Sequence, residues 1–245
     1  MTTMVEAREL TVGWPGEDPL IERASFSVEQ GEIFALLGGS GCGKSTLLRF
    51  LVGLESPLSG GVTIAGVEDP TLDASPPRFG MMFQQGALFG SMTVGENVAL
   101  AIERWTDLPR PAIDAMVRAK LRLVGLEAAE HKLPSAISGG MRKRAAIARA
   151  MALEPALVFL DEPSSGLDPI TSAGLDQLIL TLRRVLGLTV VLVTHELGSI
   201  FSIVDRCAML DRDSRSVIAI GAPRALAAST DPRVSAFFNR RAEVS

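Results

Sequence analysis

The fold turns on the stretch "EIFALLGGSGCGKSTLLRFLVGL", residues 32–54. "IFALL" is too short for a helix and apolar throughout. It reads as a strand buried on both faces, as in a parallel sheet. The strand runs into Gly38, Gly39, Ser40, Gly41, Cys42, Gly43, Lys44, Ser45 and Thr46, which contain the pattern G-x-x-x-x-G-K-[ST]. Glycines in such a loop let backbone N–H groups wrap a phosphate chain. Lys44 is then the residue to reach β- and γ-phosphates, and the Ser45 hydroxyl is a ligand for Mg²⁺. Residues 44–54 leave the loop as a helix, with the positive end of its dipole on the phosphates. A phosphate chain with Mg²⁺ is the ligand this strand, loop and helix imply.

Outward from that centre, residues 4–37 read as β structure: "MVEARELTV" alternates and "ASFSV" follows it. "GGVTIAG" and "RFGMMFQ" are two more strands. From Thr93 to about Leu153 the reading is helical, opened by a capping box of Thr93 with Glu96. "EPALVFLDEP" and "LTVVLVTHE" are buried strands. The helix between them, "ITSAGLDQLILTLRRVLG", gathers Leu175, Leu178, Ile179, Leu182 and Leu186 on one side. "RCAML" and "SVIAIG" form a closing hairpin. The pattern predicts an α/β fold: a phosphate-loop core with a mostly parallel sheet, an N-terminal antiparallel β portion and an inserted helical lobe. The expected division is one domain, with its core at about 1–85 and 155–230, the lobe at about 86–154 and a tail at about 231–245.

The chain has 245 residues, a net charge of −4 and 47% hydrophobic residues. That suffices for a substantial core, and the acidic balance argues against a nucleic-acid partner. The apolar runs "ALVFL" and "LTVVLV" fall well short of the roughly 20 residues that span a bilayer, so any membrane-embedded part must come from another chain. Two cysteines, Cys42 and Cys207, make no disulfide framework. "MTTMVEAREL" does not read as a signal peptide, which points to a reducing cytoplasm.

Further residues carry chemistry. "AISGGMRKRAAIARAM", residues 136–151, offers Ser138, Gly139 and Gly140 at the start of a small-residue helix, a second anion-facing N-terminus. Arg142, Lys143 and Arg144 in its first turn oppose the helix dipole. The reading places them on a solvated face, or beside something negative that docks there. "LVFLDEP" carries Asp161 and Glu162 out at a strand's carboxyl end, where α/β sheets bind ligands. Asp161 is placed to hold Mg²⁺ and Glu162 to polarise a water. A lone pair of this kind is ordinarily a solvated turn, and the glycine loop is what tips the reading. His195 ends "TVVLVTHE" and can reach a γ-phosphate, whereas His131 reads as a loop residue. Gln84 ends "RFGMMFQ" and can contact Mg²⁺ or the attacking water. Trp14, in "VGWPG", can stack on adenine or simply pack a strand edge.

"GGSGCGKST", "FQQGALF", "ISGGMRKR", "VFLDEP", "SSGLD" and "VTHE", in that order, resemble the ATP-binding subunit of ABC transporters across essentially the whole chain. The resemblance implies a head-to-tail dimer with a second copy. In it the Ser138-Gly139-Gly140 turn caps the γ-phosphate of ATP held by the other copy's glycine loop. It assigns Gln84 to the loop that couples the lobe, Asp168 to the contact across the dimer and His195 to the γ-phosphate switch. It also implies a transmembrane permease as partner and a place on the cytoplasmic side of the inner membrane. One departure stands out: the family turn usually continues with Gln, and here Met141 follows Gly140. A thioether cannot hydrogen-bond as an amide does.

Met141, "FQQGALFGSMTVGENVAL", "DEPSSGLDPIT" and "DPRVSAFFNRR" resemble a narrower group. These are the ATPases of bacterial lipid transporters that work with mammalian-cell-entry (MCE) domain proteins, the maintenance-of-lipid-asymmetry type. The narrower resemblance implies a phospholipid or other hydrophobic cargo and an MCE-domain substrate-binding partner. Phe237 and Phe238 close a short segment after Pro232 that reads as having no core partner in its own chain, and the narrower resemblance implies that this tail helps hold two ATPase subunits together. Three alternatives differ in class or cargo. A soluble ABC ATPase of translation or DNA repair carries two cassettes or a coiled-coil insert, which this chain lacks. A small-molecule kinase leaves "ISGG" and "SSGLDP" without a role. An ABC ATPase serving a polar solute would keep every motif.

Overall fold

The computed structural model describes residues 2–68 and 77–239. The chain opens with β1 (Thr3–Val12), β2 (Ile21–Glu29) and β3 (Ile33–Gly38), then α1 (Lys44–Leu51), β4 (Ser59–Ile64) and β5 (Val67–Glu68). After β6 (Gly80–Met82) come α2 (Val94–Trp105), α3 (Arg110–Leu123) and α4 (Gly139–Ala150). β7 (Leu157–Asp161), α5 (Pro169–Leu186) and β8 (Thr189–Val193) follow. α6 (Leu197–Ile203), β9 (Arg206–Asp211), β10 (Ser216–Gly221), α7 (Pro223–Ala227) and α8 (Pro232–Asn239) complete it. The architecture is α/β, with an N-terminal antiparallel sheet, a mixed sheet containing parallel strands, and helices.

Compactness divides the chain into 1–75 with 189–245, and 76–188. In the first unit, β2, β1, β4 and β5 form an antiparallel sheet in that order. β3 lies between β8 and β9 and runs parallel to both, and β10 adds antiparallel to β9. Ile33, Phe34, Ala35, Leu36 and Leu37 are all fully buried, as the unbroken apolar run requires of a central parallel strand. Phe26 of β2 stacks on Phe34 of β3 at 5.5 Å between ring centroids, joining the two sheets through their cores.

The second unit pairs β6 and β7 in parallel, Met82 opposite Leu160, and sets α2 to α5 with them. The capping box of α2 is present: Glu96 N–H donates to Thr93 Oγ1 at 3.2 Å and Thr93 N–H to Glu96 Oε2 at 2.6 Å. Gly80 brings β6 against the end of α4, where a methyl group would lie 2.0 Å from the Ala150 carbonyl oxygen.

Two expectations need correcting. Leu186 does not join the buried stripe of α5. It is 48% exposed, because α5 ends there and Gly187 turns the chain at φ 66°. The tail does have core partners: Val234 and Phe238 are buried, and the Phe238 ring meets Phe201 of α6 at 5.8 Å. That contact joins residues 37 apart in sequence, beyond the reach of any local pattern. Residues 240–245 of the expected tail lie outside the described residues. No helix among the described residues is long and apolar enough to cross a membrane.

Candidate functional site

The glycine loop leaves the carboxyl end of β3 with Gly38, Gly41 and Gly43 at φ 145°, 75° and 93°, in the range that favours glycine. A methyl group on Gly38 would sit 2.4 Å from the Leu210 carbonyl oxygen and 2.6 Å from Cys42 Sγ. By contrast, methyl groups on Gly39 and Gly41 would meet nothing within 4 Å, so the loop is packed beneath and open above. Gly43 is the N-cap of α1 and supplies no capping side chain, and the first turn carries no acid. Such a helix end suits an anion. Lys44 Nζ donates to the Gly38 and Gly39 carbonyls at 3.0 and 2.8 Å and lies 3.8 Å from Cys42 Sγ. Its cation therefore sits on the loop itself.

Other predicted residues share this unit. Leu36 pairs with Val193, so the glycine loop and His195 leave the same end of adjacent parallel strands. His195 is exposed, with Nε2 3.5 Å from Glu196 Oε1. Trp14 is 43% exposed and turns an edge to Phe50 of α1 at 6.5 Å, so it lies beside the helix that leaves the loop.

The second unit holds the remaining candidates. Because Met82 pairs with Leu160, Gln84 and the Asp161–Glu162 pair emerge together at the ends of β6 and β7. Gln84 is exposed, while Asp161 and Glu162 are buried. Glu162 sits at φ 49°, a left-handed conformation that costs a non-glycine residue about 1–3 kcal/mol and clusters at working sites.

Ser138 is the N-cap of α4, and its hydroxyl accepts the Met141 N–H at 3.3 Å. Met141 enters this cap through its backbone alone, so the cap does not depend on having Gln there. Gly140 is buried, and a methyl group on it would meet Thr171 Cγ2 of α5 at 2.5 Å. Asp168 caps α5: its carboxylate accepts from the Thr171 hydroxyl and from the Thr171 and Ile170 N–H groups. The hydroxyl bond foremost holds its pKa below the ordinary carboxylate value.

The basic run of α4 departs from the solvated face expected of it except at Arg142, which is exposed. Arg142 donates to the Ile137 carbonyl, and Arg144 to those of Val124 and Gly174. Lys143 is buried and donates to the Gln84 and Glu162 carbonyls, the latter at 3.0 Å. Burial pushes its pKa down, and the Glu162 and Asp161 carboxylates push it back up. Sequence reasoning missed Lys143 as a site residue. The available signal was periodicity: Gly140, Lys143 and Ile147 fall at i, i+3 and i+7, one face of a helix.

Whether these residues suit Mg²⁺ rests on donor chemistry. A hydroxyl, an amide oxygen and a carboxylate, from Ser45, Gln84 and Asp161, are hard oxygen donors of the type Mg²⁺ selects. Among the described residues, no group of three or more His, Cys, Asp or Glu side chains forms a cage.

The second unit also carries an apolar groove of 480 Å³ between β6, α2 and the end of α4, lined by Phe79, Phe83, Phe89, Leu100, Trp105 and Leu153. Phe89 is 52% exposed, and Arg104 lies over the Trp105 ring at 4.9 Å.

Comparison with known proteins places this geometry. The ABC transporter family profile matches residues 21–165. The intermembrane phospholipid transport system ATP-binding protein MlaF of Escherichia coli K12 is 41% identical over 229 residues, covering 91% of this chain and 84% of its own. The probable ribonucleotide transport ATP-binding protein mkl of Mycobacterium leprae is 38% identical, covering 98% of this chain and 70% of its own. A dimeric ATP-binding cassette, solved after hydrolysis with ADP and Pi bound, superposes with a TM-score of 0.79 at 28% identity, covering 89% of this chain and 98% of that one. The glycine loop on β3, the Ser-Gly-Gly cap of α4 and the carboxylates after β7 thus lie in a chain that belongs to the ABC transporter family, as an ATP-hydrolysing subunit.

Proposed function

We propose that the chain drives a phospholipid transporter, working as a head-to-tail pair of copies beneath a transmembrane permease on the cytoplasmic side of the inner membrane. An MCE-domain protein is the partner that handles the lipid. The observation that carries the ATP-driven dimer is the presence of two anion-facing helix ends in one chain: an open glycine loop before α1 and a serine-capped turn before α4. The reading of the cargo is supported by the 41% identity to MlaF over 91% of the chain.

In this reading the amides of residues 38–46 and Lys44 take the phosphates of ATP, and Trp14 stacks on adenine. Ser45, Gln84 and Asp161 hold Mg²⁺, which supplies positive charge against the phosphate oxygens. Glu162 takes a proton from the attacking water, and His195 meets the γ-phosphate. Ser138, Gly139 and Gly140 cap the ATP held by the other copy, with Asp168 at the contact between copies. ATP binding closes the pair and hydrolysis reopens it. The apolar groove beside the loop after Gln84 is the surface offered to the permease. The exposed rings of Phe83 and Phe89, with the half-buried Trp105 beside them, make a patch of the kind that marks a protein contact.

The similarity to mkl, whose name specifies ribonucleotide transport, keeps one other cargo in view. Isolating the tagged chain from detergent-solubilised membranes of its host separates the two. A permease and an MCE-domain protein in the complex, with ATPase activity that responds to phospholipid, supports the lipid reading. A periplasmic solute-binding protein in place of the MCE protein, with stimulation by a polar solute, overturns it.

A further inference from the structure

We propose that Lys143 is a positioning residue of the hydrolysis site, holding the backbones of Gln84 and Glu162 and tying both to α4. The inference rests on the reading of Glu162 as the base. Lys143 Nζ donates to the Gln84 carbonyl and, at 3.0 Å, to the Glu162 carbonyl. These residues follow β6 and β7, which pair side by side, so one ammonium clamps two neighbouring strand ends.

The clamp matters most at Glu162. Its left-handed conformation persists only where the surroundings hold it, and its carbonyl accepts two bonds, from Lys143 Nζ and from the Ser165 N–H at 3.2 Å. One further turn and a half along α4, Arg149 donates to the Gly86 and Ala87 carbonyls at 2.8 and 2.5 Å. The segment from Gln84 to Ala87 is therefore fixed to α4 at two points.

A buried ammonium is costly unless paired, and an apolar side chain of similar volume would serve packing better. What Lys143 adds is directed donation to two carbonyls. A displacement of α4 at its Ser-Gly-Gly end consequently reaches both Gln84 and Glu162 through a single atom.

The test uses the whole purified chain carrying Lys143→Met, Glu162→Gln or both, followed by steady-state and single-turnover hydrolysis of labelled ATP. Lys143→Met is expected to lower kcat roughly 10- to 100-fold through misplacement of the reacting groups. KM for ATP should stay within about twofold, since ground-state binding is untouched. In the Glu162→Gln background the same change should produce a smaller further loss, because the part acting through Glu162 is already removed and only the part acting through Gln84 remains. Should Lys143→Met fail to give a cooperative melt, Lys143→Gln, which keeps a donor, is read in the same way with a smaller loss.

Unchanged kcat, a rise in KM alone, or an undiminished loss in the Glu162→Gln background overturns the positioning role. Failure of both variants to fold also overturns it, by making Lys143 structural. Normal hydrolysis by Glu162→Gln alone overturns the base reading instead, which separates the two failures.

Discussion

The two helix ends proposed to meet phosphate are built in opposite ways. α1 begins at Gly43, with no capping side chain, behind a loop that bends through left-handed glycines. α4 begins at Ser138, whose hydroxyl already accepts an N–H of its own first turn, and its basic residues donate to backbone carbonyls. The first is a cradle left open for a ligand. The second is a finished cap that can add contacts to a ligand held elsewhere. Binding should therefore depend on the first end, and retention of bound ATP on the second.

The largest effect tests whether chemistry can be removed while both ends stay intact. Glu162→Gln keeps shape and hydrogen bonding but removes the carboxylate proposed as the base. Hydrolysis should fall about 10²- to 10⁴-fold while ATP still binds through Lys44 and Ser45. Measured turnover near that of the unaltered chain would remove Glu162 from the mechanism.

Adding Ser138→Arg to that background attacks the second end alone. Hydrogen bonds to a charged group contribute about 1.5–3 kcal/mol, so labelled ATP should leave roughly 10- to 100-fold faster while initial binding is unchanged. Equally slow release in both proteins would mean that the α4 cap does not reach ATP, and the contrast between the two ends would lose its functional meaning.

A pair of glycines sharpens the same contrast in stability. A methyl group on Gly39 meets nothing within 4 Å, so Gly39→Ala should leave the melting temperature unchanged while weakening ATP binding. Gly80→Ala drives a methyl group to 2.0 Å from the Ala150 carbonyl oxygen, wedging β6 from the end of α4. Overpacking of this kind costs about 1–3 kcal/mol, several degrees in a thermal melt of a chain this size. Equal melting of the two variants would show that β6 and α4 are free to separate.

Much of the first end was legible in the sequence because it is local. An unbroken apolar run, four glycines, a lysine and a serine lie within one short stretch, and each needs only its neighbours to be understood. The capping box of Thr93 and Glu96 was legible for the same reason. The second end was legible as a turn but not as a site. Lys143 reads as a solvated charge until folding supplies the carbonyls of Gln84 and Glu162, which lie 59 and 19 residues away. Phe238 likewise reads as unpartnered until Phe201 arrives. The role of Ser138 toward another copy's ATP came from resemblance to a family. The side-chain chemistry of the turn alone says only that an anion is welcome there.

The smallest effect concerns the two cysteines, which separate the open loop from the closed sheet core. Cys42 lies beneath the loop at 2% exposure, so a maleimide should reach it only when the loop moves, slowly, and more slowly still with ATP bound. Cys42→Ser should keep activity and abolish inactivation. Cys207, fully buried on β9, donates its thiol to the Gly221 carbonyl at 3.4 Å, and burial pushes its pKa up to about 12. It should stay unlabelled in the folded chain. The same shift has a consequence for stability. The folded state holds this proton more tightly than the unfolded state, whose thiol has a pKa near 8.5. The contribution is therefore fully present below about pH 8.5 and is lost as pH rises toward 12, at no more than about 1.4 kcal/mol per pH unit. Lysines titrate in the same range, so the readout is a difference: Cys207→Ala should melt with a shallower decline than the unaltered chain between pH 9 and 11. Parallel declines would mean that Cys207 does not hold its proton more tightly in the fold. Labelling of Cys207 at a rate matching Cys42 would mean that the sheet around β9 opens as readily as the glycine loop.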